Sequence, residues 1–111
     1  MNIHLSSKKC VACEGDVPPL NSEQIALYSG QVKNWGVSED KKSLSKLFTF
    51  KDFKEAIAFI DKVGALAEEE GHHPDISLFG FKNVTLTLST HAIGGLSEND
   101  FIVAAKVDVM F

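Results

Sequence analysis

The sequence predicts an α+β fold, a four-stranded and mainly antiparallel sheet with helices on one face, ordered helix, two strands, helix, two strands, helix. Three observations carry that expectation. An apolar stripe of helical period runs from Phe53 towards Glu70 and stops at Gly71. Val84, Leu86 and Leu88 alternate with Thr85, Thr87 and Ser89, the pattern of a strand buried on one side. Capping signals at Asn21, Asp52 and Ser97 each open a helix, with room for a pair of strands between them.

Residues 1–20 read as an irregular arm ending at Pro18-Pro19, and residues 21–111 as a single domain. Asn21 with Gln24 forms a capping-box pattern, opening a short helix through about Ser29. Trp35 to Val37 and Leu44 to Phe50 read as a hairpin around the polar stretch Ser38 to Ser43. Asp52-x-x-Glu55 opens the longest helix, whose expected buried stripe is Phe53, Ala56, Ile57, Ile60, Val63, Gly64 and Ala67. Gly71 supplies a left-handed stop, and Pro74 forbids continuation. A short strand around Ile76 to Gly80 precedes the alternating one. Gly94-Gly95 marks a turn, and Ser97-x-x-Asp100 caps a final helix carrying Phe101, Ile102, Ala105 and Val109. Strands buried on one side need one cover, which leaves the other sheet face to solvent, a ligand or a partner.

Composition narrows the function. A 111-residue chain of 44% hydrophobic residues can bury one modest core, which association often supplements. No run approaches the ~18 apolar residues of a membrane span. The first residues, Met1-Asn2-Ile3-His4-Leu5, lack the basic start and apolar run of a signal peptide, so the expected location is the cytoplasm. Eleven basic against 15 acidic side chains give a net charge of -4, which argues against direct nucleic-acid binding. Cys10 and Cys13 form a single C-x-x-C, too few ligands for a structural zinc site and placed in a loop rather than at a strand-to-helix junction. The expectation is two ordinary thiols in a reducing compartment.

The residues capable of chemistry gather around one turn. His72 and His73 follow the long helix, while His91 lies just past the alternating strand, in phase with its polar residues. Glu68 stands four residues before His72 and can reach that ring if the last helical turn extends so far. That carboxylate and the negative helix end both favour an imidazolium, the form needed for general acid catalysis. Three histidines are also a metal-capable set, but adjacent residues point apart and no i,i+4 histidine pair is present. Adjacent histidines after a helix stop are often only solvated. Asp100 already has a sufficient role as the third residue of a capped helix, and Glu69 and Glu70 read as solvated.

The stretch Glu68-Glu69-Glu70-Gly71-His72-His73-Pro74-Asp75 resembles the signature of pterin-4a-carbinolamine dehydratases, in their bacterial form. The likeness continues through Phe81 to Leu88-Ser89-Thr90-His91, Gly94-Gly95-Leu96 and Asp100-Phe101. Upstream it includes Trp35 and Phe48-Thr49-Phe50-Lys51-Asp52-Phe53, so it covers the chain from about residue 20 onwards. The segment from Pro74 to Phe81 is one residue longer than in common members, as a bulge or a longer connection, and Ile76 replaces the tryptophan of animal forms.

The resemblance implies a hydro-lyase that converts 4a-hydroxytetrahydropterin, left by aromatic amino-acid hydroxylases, to quinonoid dihydropterin without metal or organic cofactor. It implies acid–base roles for His72 and His91, pterin binding by His73, and support from Glu68 and Asp100. It also implies a homodimer or homotetramer. Animal members double as dimerisation cofactors of a homeodomain transcription factor, and a bacterial relative can instead serve molybdopterin-related metabolism or bind a pterin without turnover.

Overall fold

The capping signals act where the sequence places them. In the computed structural model, which describes residues 4–10 and 18–110, the Asn21 side chain accepts from the Gln24 N–H and the Gln24 side chain accepts from the Asn21 N–H. This reciprocal box opens α1, Ser22–Ser29. Asp52 accepts from the Glu55 N–H at 2.9 Å to open α2, Phe53–Glu70, while Glu55 turns back to the Lys51 N–H. α2 ends at Gly71, whose φ of 66° lies in the left-handed region that a glycine enters without a Cβ penalty. The last helix, α3, spans Glu98–Met110.

Between the helices lie β1 (Gly36–Val37), β2 (Leu44–Thr49), β3 (Asp75–Phe79) and β4 (Asn83–Leu88). They form one sheet in the order β1-β2-β4-β3, with every neighbouring pair antiparallel. Register decides the faces, because directly opposed residues share a side. Leu44 opposes Leu88, Phe48 opposes Val84 and Leu78 opposes Val84 on the covered face. Ser45 and Asp75 flank Thr87, and Leu47 and Ser77 flank Thr85, on the open face. β3 pairs with β4 without a bulge, and in the connection between them Gly80 and Phe81 both take positive φ.

The core is filled between the covered face and the helices. The Phe59 ring lies tilted against Phe48 at 4.7 Å and Phe50 at 4.9 Å, and Trp35 meets Phe48 edge-on. The buried stripe of α2 is therefore Ala56, Phe59, Val63, Ala67 and Glu70, rotated from the expected one. Phe53 and Ile57 are exposed, and Phe59 replaces them. Burying a ring of that size contributes about 2–3 kcal/mol, enough to choose between two faces of similar period. α3 is the central helix, buried continuously from Asn99 to Ala105 and again at Val107, whereas Val109 is exposed.

The N-terminal segment is more than an irregular arm. Leu5–Ser7 form a 3-10 turn that packs on α3 and buries Leu5 in the core. Lys8 pairs with Glu98, which also accepts from Tyr28 of α1, and the Cys10 N–H donates to Glu70, so this segment is tied to α3 and α2. Glu70, expected in solvent, is buried and also accepts from Lys106 Nζ at 2.7 Å. Burial pushes its carboxyl up, but the Lys106 and Cys10 donors outweigh that and hold it below the usual carboxylate range. Burial, with Glu70 beside it, pushes the Cys10 thiol up to about 12, so it is a poor thiolate for metal or redox chemistry. Cys13, the other half of the C-x-x-C, lies outside the described residues. No helix among the described residues is long and apolar enough to cross a membrane.

Candidate active site

The end of α2 and the start of α3 meet behind β4, and the histidines gather there. The Gly71 and His72 N–H groups both bond to the Ala67 carbonyl, which fixes the chain as it leaves the helix. Beyond that point the backbone is no longer helical, so successive side chains diverge. His72 turns inward, its side chain 13% exposed, and His73 turns outward at 60%.

This divergence reverses the expected pairing. Glu68 does not reach His72; its Oε2 lies 2.5 Å from His73 Nε2, on the surface. Counting four residues along a helix fails because Gly71 swings the chain off the helical path before His72. His72 Nε2 instead lies 2.6 Å from Oδ1 of Asp100, a residue with no exposed surface.

Asp100 is the centre of a buried network. Its Oδ2 accepts from Thr90 Oγ1 at 2.8 Å and from the Ser97 N–H at 2.9 Å, while Ser97 Oγ lies 2.8 Å from Thr90 Oγ1. The contact to the Ser97 N–H is the aspartate's half of a capping box, while the Asp100 N–H bonds to the Ser97 carbonyl and the Ser97 hydroxyl turns to Thr90. The same carboxylate also reaches out of the helix to a histidine. No buried side-chain nitrogen or oxygen among the described residues lacks a partner.

His91 arrives by a different route from the expected one. β4 ends at Leu88, and His91 begins a 3-10 turn, His91–Ile93, so strand phase does not set its direction. Thr90 and Gly95 bond to each other's backbones, closing the loop that carries His91. That loop brings His91 to the same place. His72, His73 and His91 line one open depression of about 330 Å³ with Gly71, Ser89, Thr90 and Ala92. A second depression of about 300 Å³ shares Ser89, Thr90 and His91, and extends to Asp40 and Lys42.

The arrangement offers imidazoles of two kinds on one wall. One is braced by a buried carboxylate, and another, exposed, pairs with a surface carboxylate. Such a site can give and take protons from a small ligand. Among the described residues no three His, Cys, Asp or Glu side chains are grouped to hold a metal ion. The sequence reading missed Thr90, and it read Ser97 only as a cap. Thr90 stands only inside the family likeness with no role of its own there, because its role comes from contacts ten residues along the chain.

Comparison with known proteins identifies the family of the chain. A protein of Rubrobacter xylanophilus, provisionally named pterin-4-alpha-carbinolamine dehydratase, is 47% identical over 104 residues, 94% of this chain and 95% of that one. One of Alkaliphilus metalliredigens with the same provisional name is 48% identical over 95% of this chain and 94% of its own. Among solved structures, a transcriptional coactivator/pterin dehydratase of Brucella melitensis superposes with a TM-score of 0.77 at 26% identity, covering 83% of this chain and 97% of that one. A pterin dehydratase-like protein described as a RuBisCO assembly factor in the alpha-carboxysome superposes at 0.60 with 34% identity, covering 70% and 89%. The sequence profile of the pterin 4 alpha carbinolamine dehydratase family matches residues 18–110, from the first described proline through the last turn of α3 and across every residue of the histidine depression, and the chain belongs to that family.

Proposed function

We propose that this chain is a hydro-lyase that dehydrates 4a-hydroxytetrahydrobiopterin to quinonoid dihydropterin, recycling the pterin used by an aromatic amino-acid hydroxylase. The observation that carries the proposal is the meeting of His72, His73 and His91 on one depression. Family membership supports the pterin as substrate.

The chemistry suits imidazole. The C4a–O bond breaks as the hydroxyl takes a proton from an imidazolium and departs as water. A neutral imidazole removes the proton from the adjacent ring nitrogen, and the electron pair of that N–H bond becomes the new C=N bond. Water is lost and nothing is oxidised or reduced, so neither metal nor organic cofactor is required. His72 and His91 are the acid–base pair, and His73, with Glu68 behind it, binds and orients the pterin. Asp100 braces His72. A cytoplasmic homodimer or homotetramer is the proposed working form.

The test follows dehydration of freshly generated 4a-carbinolamine by its ultraviolet spectrum. Wild-type protein is expected to accelerate it, and each of His72→Ala and His91→Ala to lower kcat by about 10²–10⁴-fold. Wild-type turnover in the double variant would overturn the roles of these histidines. Tight dihydropterin binding without acceleration would make the chain a pterin-binding protein instead, and a pull-down with candidate partners would then be the next measurement.

A further inference from the structure

We infer that Thr90 is a positioning residue, whose hydroxyl fixes which nitrogen of His72 is available for proton transfer. The inference rests on the dehydratase reading for its kinetic consequence, but not for its structural content.

The argument begins with Asp100. A carboxylate is an acceptor only, and this one has no exposure to water that could make up for a missing donor. Its Oδ2 receives Thr90 Oγ1–H at 2.8 Å and the Ser97 N–H at 2.9 Å. Thr90 has a single hydroxyl proton. With that proton directed at Asp100, the 2.8 Å contact between Thr90 Oγ1 and Ser97 Oγ is donated by Ser97. The hydrogen bonds therefore run one way, from Ser97 to Thr90 to Asp100.

With Thr90 and Ser97 both donating to Oδ2, Oδ1 is left to accept from His72 Nε2 at 2.6 Å. The ring proton is thereby held on Nε2, and Nδ1 is the remaining nitrogen that can exchange a proton with a ligand in the depression. Setting the tautomer through the hydrogen bond of the far ring nitrogen is a general device for histidine. Thr90 does a second thing with its backbone. Its reciprocal bridge with Gly95 closes the loop bearing His91. One residue thus fixes the ring state of His72 and the base of the loop that presents His91.

The experiment replaces the hydroxyl and keeps the shape. In Thr90→Val, Asp100 loses one of its donors and the Ser97 hydroxyl loses its acceptor. Two-dimensional ¹⁵N NMR of the imidazoles should show His72 in a single Nε2–H form in the wild type and a mixture of tautomers in Thr90→Val. In the carbinolamine assay, kcat should fall about tenfold, the worth of one hydrogen bond to a charged group, with KM within about twofold. Thr90→Ser, which retains the hydroxyl, should restore both readouts. An unchanged tautomer ratio together with wild-type kcat in Thr90→Val would overturn the inference. If that variant does not fold, Thr90→Ala, which removes the same hydroxyl without a branched replacement, decides the matter by the same two readouts. The NMR measurement needs no turnover, so a chain that fails to dehydrate the carbinolamine refutes the dehydratase reading and leaves this one to be judged separately.

Discussion

Replacing His72 or His91 by alanine should cost the same catalysis but different stability. The two histidines share a depression but not an environment. His91 is exposed at the start of a 3-10 turn, so His91→Ala should change stability by less than about 0.5 kcal/mol. His72 donates to a carboxylate with no access to water. Removing its ring leaves Asp100 Oδ1 without that donor, at a cost of about 1–3 kcal/mol for an unmet buried group. The upper figure of about 3–5 kcal/mol for a broken buried ion pair does not apply, because Thr90 and Ser97 still donate to Oδ2. Water entering from the open depression in place of the ring lowers the cost further, so about 1–2 kcal/mol is the expected value.

Urea unfolding followed by Trp35 fluorescence measures the difference. With a slope of about 1–2 kcal/mol per molar for a domain of this size, the midpoint of His72→Ala should fall by roughly 1 M while that of His91→Ala stays put. Both variants should lose turnover alike. A double-mutant cycle of His72→Ala with Asp100→Asn should return a coupling of about 1–2 kcal/mol, since the two share one contact. Equal midpoints for the two alanine variants, or a coupling indistinguishable from zero, would refute the buried pairing on which the site is built.

Three further outcomes follow from the same reasoning. Glu70 is held below the usual carboxylate range, so its contribution is present above that range and is lost as pH falls through the depressed folded value; Glu70→Gln should flatten the acid limb of a stability–pH curve, and an unchanged limb would contradict the pairing with Lys106. Cys10 has the opposite sign: its thiol moves from 9.0 to about 12, so stability falls as pH rises between those values, and alkylation of Cys10 at pH 8 should be far slower in native than in unfolded protein. Equal alkylation rates would place that thiol in solvent. Gly95→Ala would put a Cβ 2.7 Å from the Cβ of Pro19, costing about 1–3 kcal/mol and loosening the His91 loop, which a fall in both Tm and kcat would report.

What the sequence made legible follows the range of the forces involved. Caps, the Gly71 stop and the alternation in β4 are set by neighbours within four residues, and each appears where its pattern lies. The apolar stripe of α2 was readable as a stripe but not in its rotation. Ala56, Val63 and Ala67 serve two adjacent faces, and only contact with Phe48 and Phe50 selects the one bearing Phe59. In α3 the expected Phe101, Ile102 and Ala105 are buried and Val109 is not, because nearly all of the first eight residues are buried and no one-sided stripe exists.

The site divides along the same line. His72, His73, His91, Glu68 and Asp100 were all identifiable, yet the connections between them were not. Helical spacing assigned Glu68 to His72, and the left-handed Gly71 transfers that carboxylate to His73. The partner that His72 acquires instead lies 28 residues away, on a different helix. Asp100 could be there only because Ser97 and Thr90 hold it from the side opposite His72, and that condition is invisible in any local window. A cap residue chosen as aspartate, the shorter acid, serves the helix and also keeps its second oxygen within reach of the imidazole. Asp100→Glu would test that point directly. The longer side chain can still cap α3, but it carries the carboxylate past the position from which Oδ1 meets His72. Stability should then fall less than in Asp100→Ala, while the single-tautomer NMR signature of His72 is lost in both. An Asp100→Glu protein with wild-type turnover and tautomer would show that capping, and not the geometry of the second oxygen, is what the position requires.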